Sequence, residues 1–426
     1  MSTHNTGPAG TTGIGDPDTD IAIETPSGTI QTPPQKPNRR QMLTALATNF
    51  RALPVLVALL ALVIFFSTQS DVFLSSRNIS NLLVQTVVTG TIALGLVFIL
   101  LVAEISLSVA AISGVTSVFM AKLVVEAGVP GWLAIVIAIS VGVLIGILTG
   151  AWATRFLVPT FVVTLGLGLV LNGIQLALLP DSGRYSLLGT GIEDIAGTYL
   201  TGVWSWGFLV LAVAAVGLLA LSRYGRNRSF GIETSLLRVV ILPVAAMAII
   251  GGVLVAALNS SQGVPLPVAI FMVLLGLAGY LLSETRFGLH LYAVGGNVDA
   301  AARSGISVRR IKMIAFAISG GLAALAGVIA ASRLLGVSVS SGGGIGGGAL
   351  LLNAIAAAVI GGVSLFGGRG RASSALLGAL VIGTVSNGLN LMGVETQVQL
   401  IVTGVLLVLA VTLDRTIERA TGPTTK

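Results

Sequence analysis

The sequence predicts an all-α membrane protein of about 12 apolar segments, ten core and two extra, with broken or re-entrant helices and both termini cytoplasmic. Three observations predict it. Apolar residues make up 54% of the chain and charged residues only 9%, a balance foreign to soluble domains of this length. The apolar residues come in blocks of about 17–25, long enough to cross a bilayer core as helix. The cations gather in alternate loops, which is a topology signal and not a nucleic-acid-binding face.

Residues 1–41 are rich in Thr, Pro, Gly and Asp and read as a disordered cytoplasmic tail, not a signal peptide. Residues 42–415 read as the polytopic membrane domain and 416–426 as a cytoplasmic C-terminal tail. The apolar segments run over 52–68, 82–101, 106–125, 131–150, 157–179 and 203–222 in the first half. The second half gives 239–258, 265–283, 313–332, 350–366, 373–390 and 398–413. With the N-terminus inside, nineteen of the 23 cations fall in inside loops, among them Arg155, Arg223, Arg226, Lys312 and Arg371. Arg77, Lys122, Arg184 and Arg333 are left outside, beside most of the loop acids. There is no Cys, and the two His are His4 and His290, which excludes thiolate chemistry and His-rich metal sites.

The polar, basic interruption at 284–312 stands out between apolar blocks. Its cation excess predicts a cytoplasmic loop. Gly295-Gly296-Asn297 precedes a short Ala-rich helix over 298–303, and Gly305 stops it. Such a helix is a shape another protein can grip; the bland reading is a solvated linker.

Two blocks look broken. Residues 82–125 are too long for one span and turn at Ala103-Glu104-Ile105-Ser106. The second opens with the Gly-rich run 341–348, which no regular helix accommodates. Backbone of that kind survives at membrane depth only inside protein or beside a water-filled cavity, as in transporters. Glu104 is the one acid within an apolar block, either a functional intramembrane charge or part of an interfacial turn. Asn172, Gln175, Asn353, Ser386, Asn387 and Asn390 lie in or beside spans. They either line a solute path or hydrogen-bond neighbouring helices. The run from Gly361 to Arg371 has a superficial phosphate-loop look. It lacks the Gly-Lys-Ser/Thr ending and a preceding strand, and reads as a cytoplasmic turn.

Several stretches together resemble the permease subunit of ABC-type sugar importers, the ribose/xylose/branched-chain amino acid permease superfamily. They are Tyr292-Ala-Val-Gly-Gly-Asn-Val-Asp-Ala-Ala-Ala-Arg-Ser-Gly-Ile306, Pro159-Thr-Phe-Val-Val-Thr-Leu-Gly166, Asn353-Ala-Ile-Ala-Ala357 and Val359-Ile-Gly-Gly362. The enlarged middle at 239–283 and the ending Ser386-Asn-Gly-Leu-Asn-Leu-Met392 look most like the xylose-type branch. Two usual acids are neutral here: the family's I-D-L-S-V-G is Ile105-Ser-Leu-Ser-Val-Ala110, and its E-L-D is Leu351-Leu-Asn353.

The resemblance implies a transmembrane subunit of the bacterial cell (plasma) membrane. It implies a separate ABC ATPase carrying ATP and Mg, an extracytoplasmic solute-binding protein and a second permease subunit in a homodimer. It implies no catalytic residue, metal or cofactor on this chain. Gly295, Gly296, Asn297 and Asp299 would then shape the coupling loop, Ala300, Ala301 and Arg303 would present its docking helix, and Gly305 would end it. The solute would be a monosaccharide, xylose or a similar pentose or hexose, following a path past Glu104, Ser106, Thr164, Asn172, Asn353 and Asn387. An ion- or proton-coupled secondary transporter is the competing class; it needs a titratable midplane group, for which only Glu104 offers.

Overall fold

A computed structural model describes residues 53–156, 158–229, 235–343 and 349–421. The expected N-terminal tail, residues 344–348 of the Gly-rich run and the last residues of the C-terminal tail lie outside the described residues. Among the described residues, eight helices are long and apolar enough to cross a membrane, and four shorter apolar helices accompany them. Each coincides with an expected segment.

The bundle is built around α2 (Ser76–Leu101), α3 (Val109–Val125), α4 (Gly131–Phe156) and α12 (Val308–Arg333). Ser75 starts α2 by accepting a hydrogen bond from the Asn78 N–H at 3.3 Å. The apolar window of α2 is 83% buried, so this helix is apolar on every side and forms the centre of the core. Small residues let α4 and α12 touch backbone to backbone: a Cβ on Gly320 would stand 2.2 Å from the Gly142 carbonyl oxygen. At the far end of the chain, α13 (Ala349–Ile360) and α14 (Ala372–Leu391) pack against α2, with α1 (Leu53–Gln69) beside α14. The last helix, α15, covers Thr396–Thr421 and so runs past the expected tail boundary at 415.

α7 (Val203–Ser229) and α8 (Leu242–Asn259, entered through a π turn at Leu237–Ile241) form a peripheral pair, each window only 11% buried. The expected extra pair was 239–258 with 265–283. The second of these is α9 (Leu266–Glu284), which instead belongs to the bundle. It presents Val268, Ala269, Phe271, Ala278 and Leu282 inward, with Phe271 seated against Gly90 of α2. Its sequence supplies the inward bulk that α7 and α8 do not.

The chain is not purely helical. β1 (Arg184–Ser186) pairs antiparallel with β4 (Gly336–Ser338), and β2 (Tyr199–Leu200) with β3 (Val264–Pro265). These clips join connections expected on one side of the membrane. A four-residue helix, α6 (Asp194–Gly197), lies among them. At the other end of the bundle, Arg223 and Arg226 of α7 both bind Glu284 of α9.

Candidate functional site

The first break falls where the sequence places it. α2 ends at Leu101, α3 begins at Val109, and Ala103 takes φ +59° in between. Glu104 lies in that turn and pairs with Lys312, in the first turns of α12, while Thr160 donates its hydroxyl proton to the same carboxylate. The side chains of Glu104 and Lys312 are 18% and 17% exposed, so the pair is mostly shielded from solvent screening. One carboxylate thus ties together the break, the start of α5 (Thr160–Leu178) and the start of α12.

α5 continues this role along its length. Its buried residues are Thr160, Thr164, Gly168, Leu171 and Gln175, a single face at three- and four-residue spacing. Thr164 Oγ1 accepts from the Leu107 N–H at 3.0 Å, beside Ser106, whose Oγ lies 3.3 Å from Ser108 Oγ. At the other end, Gln175 Nε2 donates to the carbonyls of Ser338, Val339 and Ser341 at 3.0–3.3 Å. One helix face therefore joins the break after α2 to the non-helical segment after α12. Asn172 is also on α5; its Oδ1 is buried with no hydrogen-bond partner among the described residues.

That second segment walls a half-open cavity of about 520 Å³. α2 contributes Gln85 and Thr89, α3 contributes Ser113 and Ser117, and α13 contributes Asn353. Ser338, Ser340 and Ser341 add hydroxyls from the broken segment, and Arg184 and Arg333 add guanidinium groups. Hydroxyl and amide groups on a partly apolar wall suit a small polyhydroxylated solute.

The six path candidates thus separate. Glu104, Ser106 and Thr164 come together at the break after α2, Asn172 stands further along α5, and Asn353 lines the cavity. Asn387 does not join them. It exchanges two hydrogen bonds with Asn78, at 2.9 and 3.0 Å, and so holds α14 to α2. Sequence reading did not single out Gln85, Thr89, Ser113 or Ser117, because isolated hydroxyls and amides inside apolar blocks carry no periodic signal.

The 284–312 interruption holds two helices, where one was expected. α10 (Arg286–Gly296) starts at Thr285, whose hydroxyl accepts from the Gly288 N–H at 3.3 Å. α11 (Val298–Arg303) matches the expected short helix. Asn297 joins the two and caps α11 by accepting from the Ala300 N–H at 2.9 Å. Gly305, at φ +82°, closes it: Gly305 N–H donates to Ala302 O and Ile306 N–H to Ala301 O, the paired bonds of a Schellman stop. Asp299, Ala300, Ala302 and Arg303 are exposed, and so is Gly296. Ala301 is only 4% exposed, which assigns it to anchoring the helix and not to presenting it.

α10 fixes this unit to the break after α2. Gly295 is so close to α2 that a Cβ would lie 1.7 Å from the Leu101 carbonyl oxygen. That oxygen accepts from the Gly368 N–H at 3.0 Å, in the Gly-rich turn before α14. Tyr292 donates its phenol proton to Gly370 O at 2.7 Å. Burial pushes the Tyr292 phenol up, opposed by nearby Arg371. A phenol whose folded pKa is raised contributes stability below its unfolded pKa of about 10, lost as pH rises through the folded value. Tyr292→Phe is therefore expected to cost about 1 kcal/mol at neutral pH and to flatten the loss of thermal stability in alkaline buffer. A melting-temperature series against pH, with the two proteins side by side, checks this.

Long apolar helices, a polar cavity at one end, and a broken element with a projecting helix at the other define a multi-pass membrane permease. The chain belongs to the family described as branched-chain amino acid transport system / permease component, whose model matches residues 78–411. It is 38% identical over 306 residues to the xylose transport system permease protein XylH of Haemophilus influenzae, covering 70% of this chain and 79% of that one. The xylose transport system permease protein XylH of Escherichia coli K12 is 37% identical over 297 residues, 69% of this chain and 75% of the relative. The ribose import permease protein RbsC of Haemophilus influenzae is 33% identical over 286 residues, 67% and 70% of the two chains. No solved structure matches the chain. The protein is a multi-pass component of the bacterial cell membrane.

Proposed function

We propose that the chain is the transmembrane subunit of an ATP-driven importer of a monosaccharide, xylose or a similar pentose or hexose. A separate ATPase binds ATP and Mg, an extracytoplasmic binding protein delivers the solute, and two permease copies enclose the path. The end carrying α11 faces the cytoplasm. The observation that carries this reading is the mounting of α11, which is capped at both ends, exposed except at Ala301, and seated through Gly295 on the break after α2. A push on α11 reaches the Glu104–Lys312 pair through a few rigid contacts and reaches the cavity wall along α5. Nucleotide shifts the access state only if the ATPase grips α11 differently in its two states. The xylose and ribose relatives support the solute class. Glu104 is held by Lys312 at the end of the bundle, which removes the titratable midplane group that a proton-coupled transporter needs.

The test separates docking from folding. Asp299→Arg with Arg303→Glu reverses the exposed charges of α11 and leaves its anchor in place. Reconstituted with the ATPase and binding protein, this variant is expected to insert normally and melt normally but to lose ATP-driven uptake by roughly tenfold or more, a coupling loss of about 1.4 kcal/mol. Ala301→Asp is expected to lower insertion and melting temperature as well, because its carboxylate would be buried. Wild-type uptake in the charge-reversed variant would remove α11 from the coupling role.

A further inference from the structure

The cavity has a charge asymmetry that a neutral sugar does not use. Arg184 and Arg333 both line it, and among the described residues no Asp or Glu does. Neither arginine is in an ion pair among the described residues. Lys122 binds Glu126 at 2.8 Å, and Glu126 accepts from the Tyr185 phenol. Glu193 accepts from the Gly189 N–H at 2.6 Å. Arg184 and Arg333 therefore line the cavity without an ion-paired acid among the described residues.

The fold holds both arginines in place. Arg184 lies in β1, in register with Ser338 of β4, and Arg333 is the last residue of α12. The strand pair and the helix end thus bring two cations, distant in sequence, to one mouth. The remaining polar lining is hydroxyl and amide, the groups that hydrogen-bond sugar hydroxyls in either direction. Planar guanidiniums bind carboxylate and phosphate oxygens in forked pairs, and a cleft of one charge sign concentrates ions of the other.

We propose that this cavity takes an anionic monosaccharide: a sugar ring or chain whose hydroxyls meet Gln85, Ser113 and Asn353 and whose anionic group meets Arg184 and Arg333. The inference rests on the monosaccharide-importer reading and changes the charge of its solute. A carboxylate, as in a sugar acid, and a phosphate ester share this chemistry, and the test separates them.

Because an external binding protein filters what reaches the permease in uptake assays, binding is measured on the purified full-length permease in nanodiscs. The probes are labelled D-glucuronate, D-glucose 6-phosphate, D-xylose and D-glucose, each at low and at high salt. The expected result is that one of the two anions binds at least about tenfold more tightly than D-xylose, with the preference weakened by salt. Preference for glucuronate assigns a carboxylate, preference for glucose 6-phosphate a phosphate ester. Arg184→Gln and Arg333→Gln should each raise the dissociation constant for that anion several-fold. The corresponding Lys variants should retain much of the affinity. D-xylose binding as tightly as both anions, or anion affinity unmoved in the double Arg→Gln variant, overturns the proposal while the sugar-importer reading stands. Absence of binding by all four probes also overturns the proposal, while ATP-driven uptake in vesicles tests the importer reading separately.

Discussion

Gly295→Ala is expected to abolish transport and to lower the melting temperature, whereas Gly296→Ala leaves stability unchanged. The two glycines are adjacent at the end of α10, yet a Cβ on Gly296 meets open space and one on Gly295 would overlap the Leu101 carbonyl. The methyl group must also displace the Gly368 N–H from that oxygen, since it would come within 2.6 Å of the Gly368 nitrogen. Overpacking of this kind costs about 1–3 kcal/mol, and a stranded buried hydrogen-bonding group adds about as much again. The affected contacts join α11's support, the break after α2 and the turn before α14, so the loss falls on the coupling unit. Melting temperature and vesicle uptake, measured for both variants, provide the comparison. Equal behaviour of the two would mean that α10 does not sit where the close approach places it.

Breaking the Glu104–Lys312 pair gives the second large effect. Lys312→Met leaves a carboxylate that is mostly shielded and held only by Thr160; Glu104→Gln leaves an ammonium without its counter-charge. Truncating one partner of a buried pair costs about 2–5 kcal/mol, and the residual exposure here favours the lower part of that range. Either single variant should lose uptake by more than about tenfold. Joint replacement, Glu104→Gln with Lys312→Met, should recover a substantial part, because no unpaired charge remains. A double-mutant cycle on thermal stability and on uptake checks this. Additive losses would show that the two side chains do not act on each other.

Local features of the site were legible from the sequence where the chain punctuates itself. The bounds of α11 followed from Asn297 and Gly305, because a cap and a left-handed stop are local chemistry. The break at Ala103–Ser106 was legible because a charged residue interrupts an apolar block too long for one helix. α10 was not, because its mixture of Gly, His and apolar residues between charged neighbours reads as a loop until α2 and the Gly367–Gly370 turn give it something to pack on. The partner of Glu104 lies 208 residues away in α12, and no local pattern encodes it. The cavity arginines show the same limit. Arg184 and Arg333 registered only as cations in outside loops; the pairing of β1 with β4 is what gathers them around one space. Ala301, expected on the presented face of α11, faces inward because a six-residue helix needs one anchor and its small side chain fits beneath.

The central claim is that ATP on a partner chain drives a sugar through this permease. It is tested most directly by uptake of labelled D-xylose and D-glucuronate into membrane vesicles carrying this chain, its ATPase and its binding protein, with the proton gradient collapsed. The account predicts uptake of at least one of the two sugars that requires ATP hydrolysis and disappears in the Asp299→Arg/Arg303→Glu variant. Uptake that needs no ATP and returns only with an imposed proton gradient would contradict it.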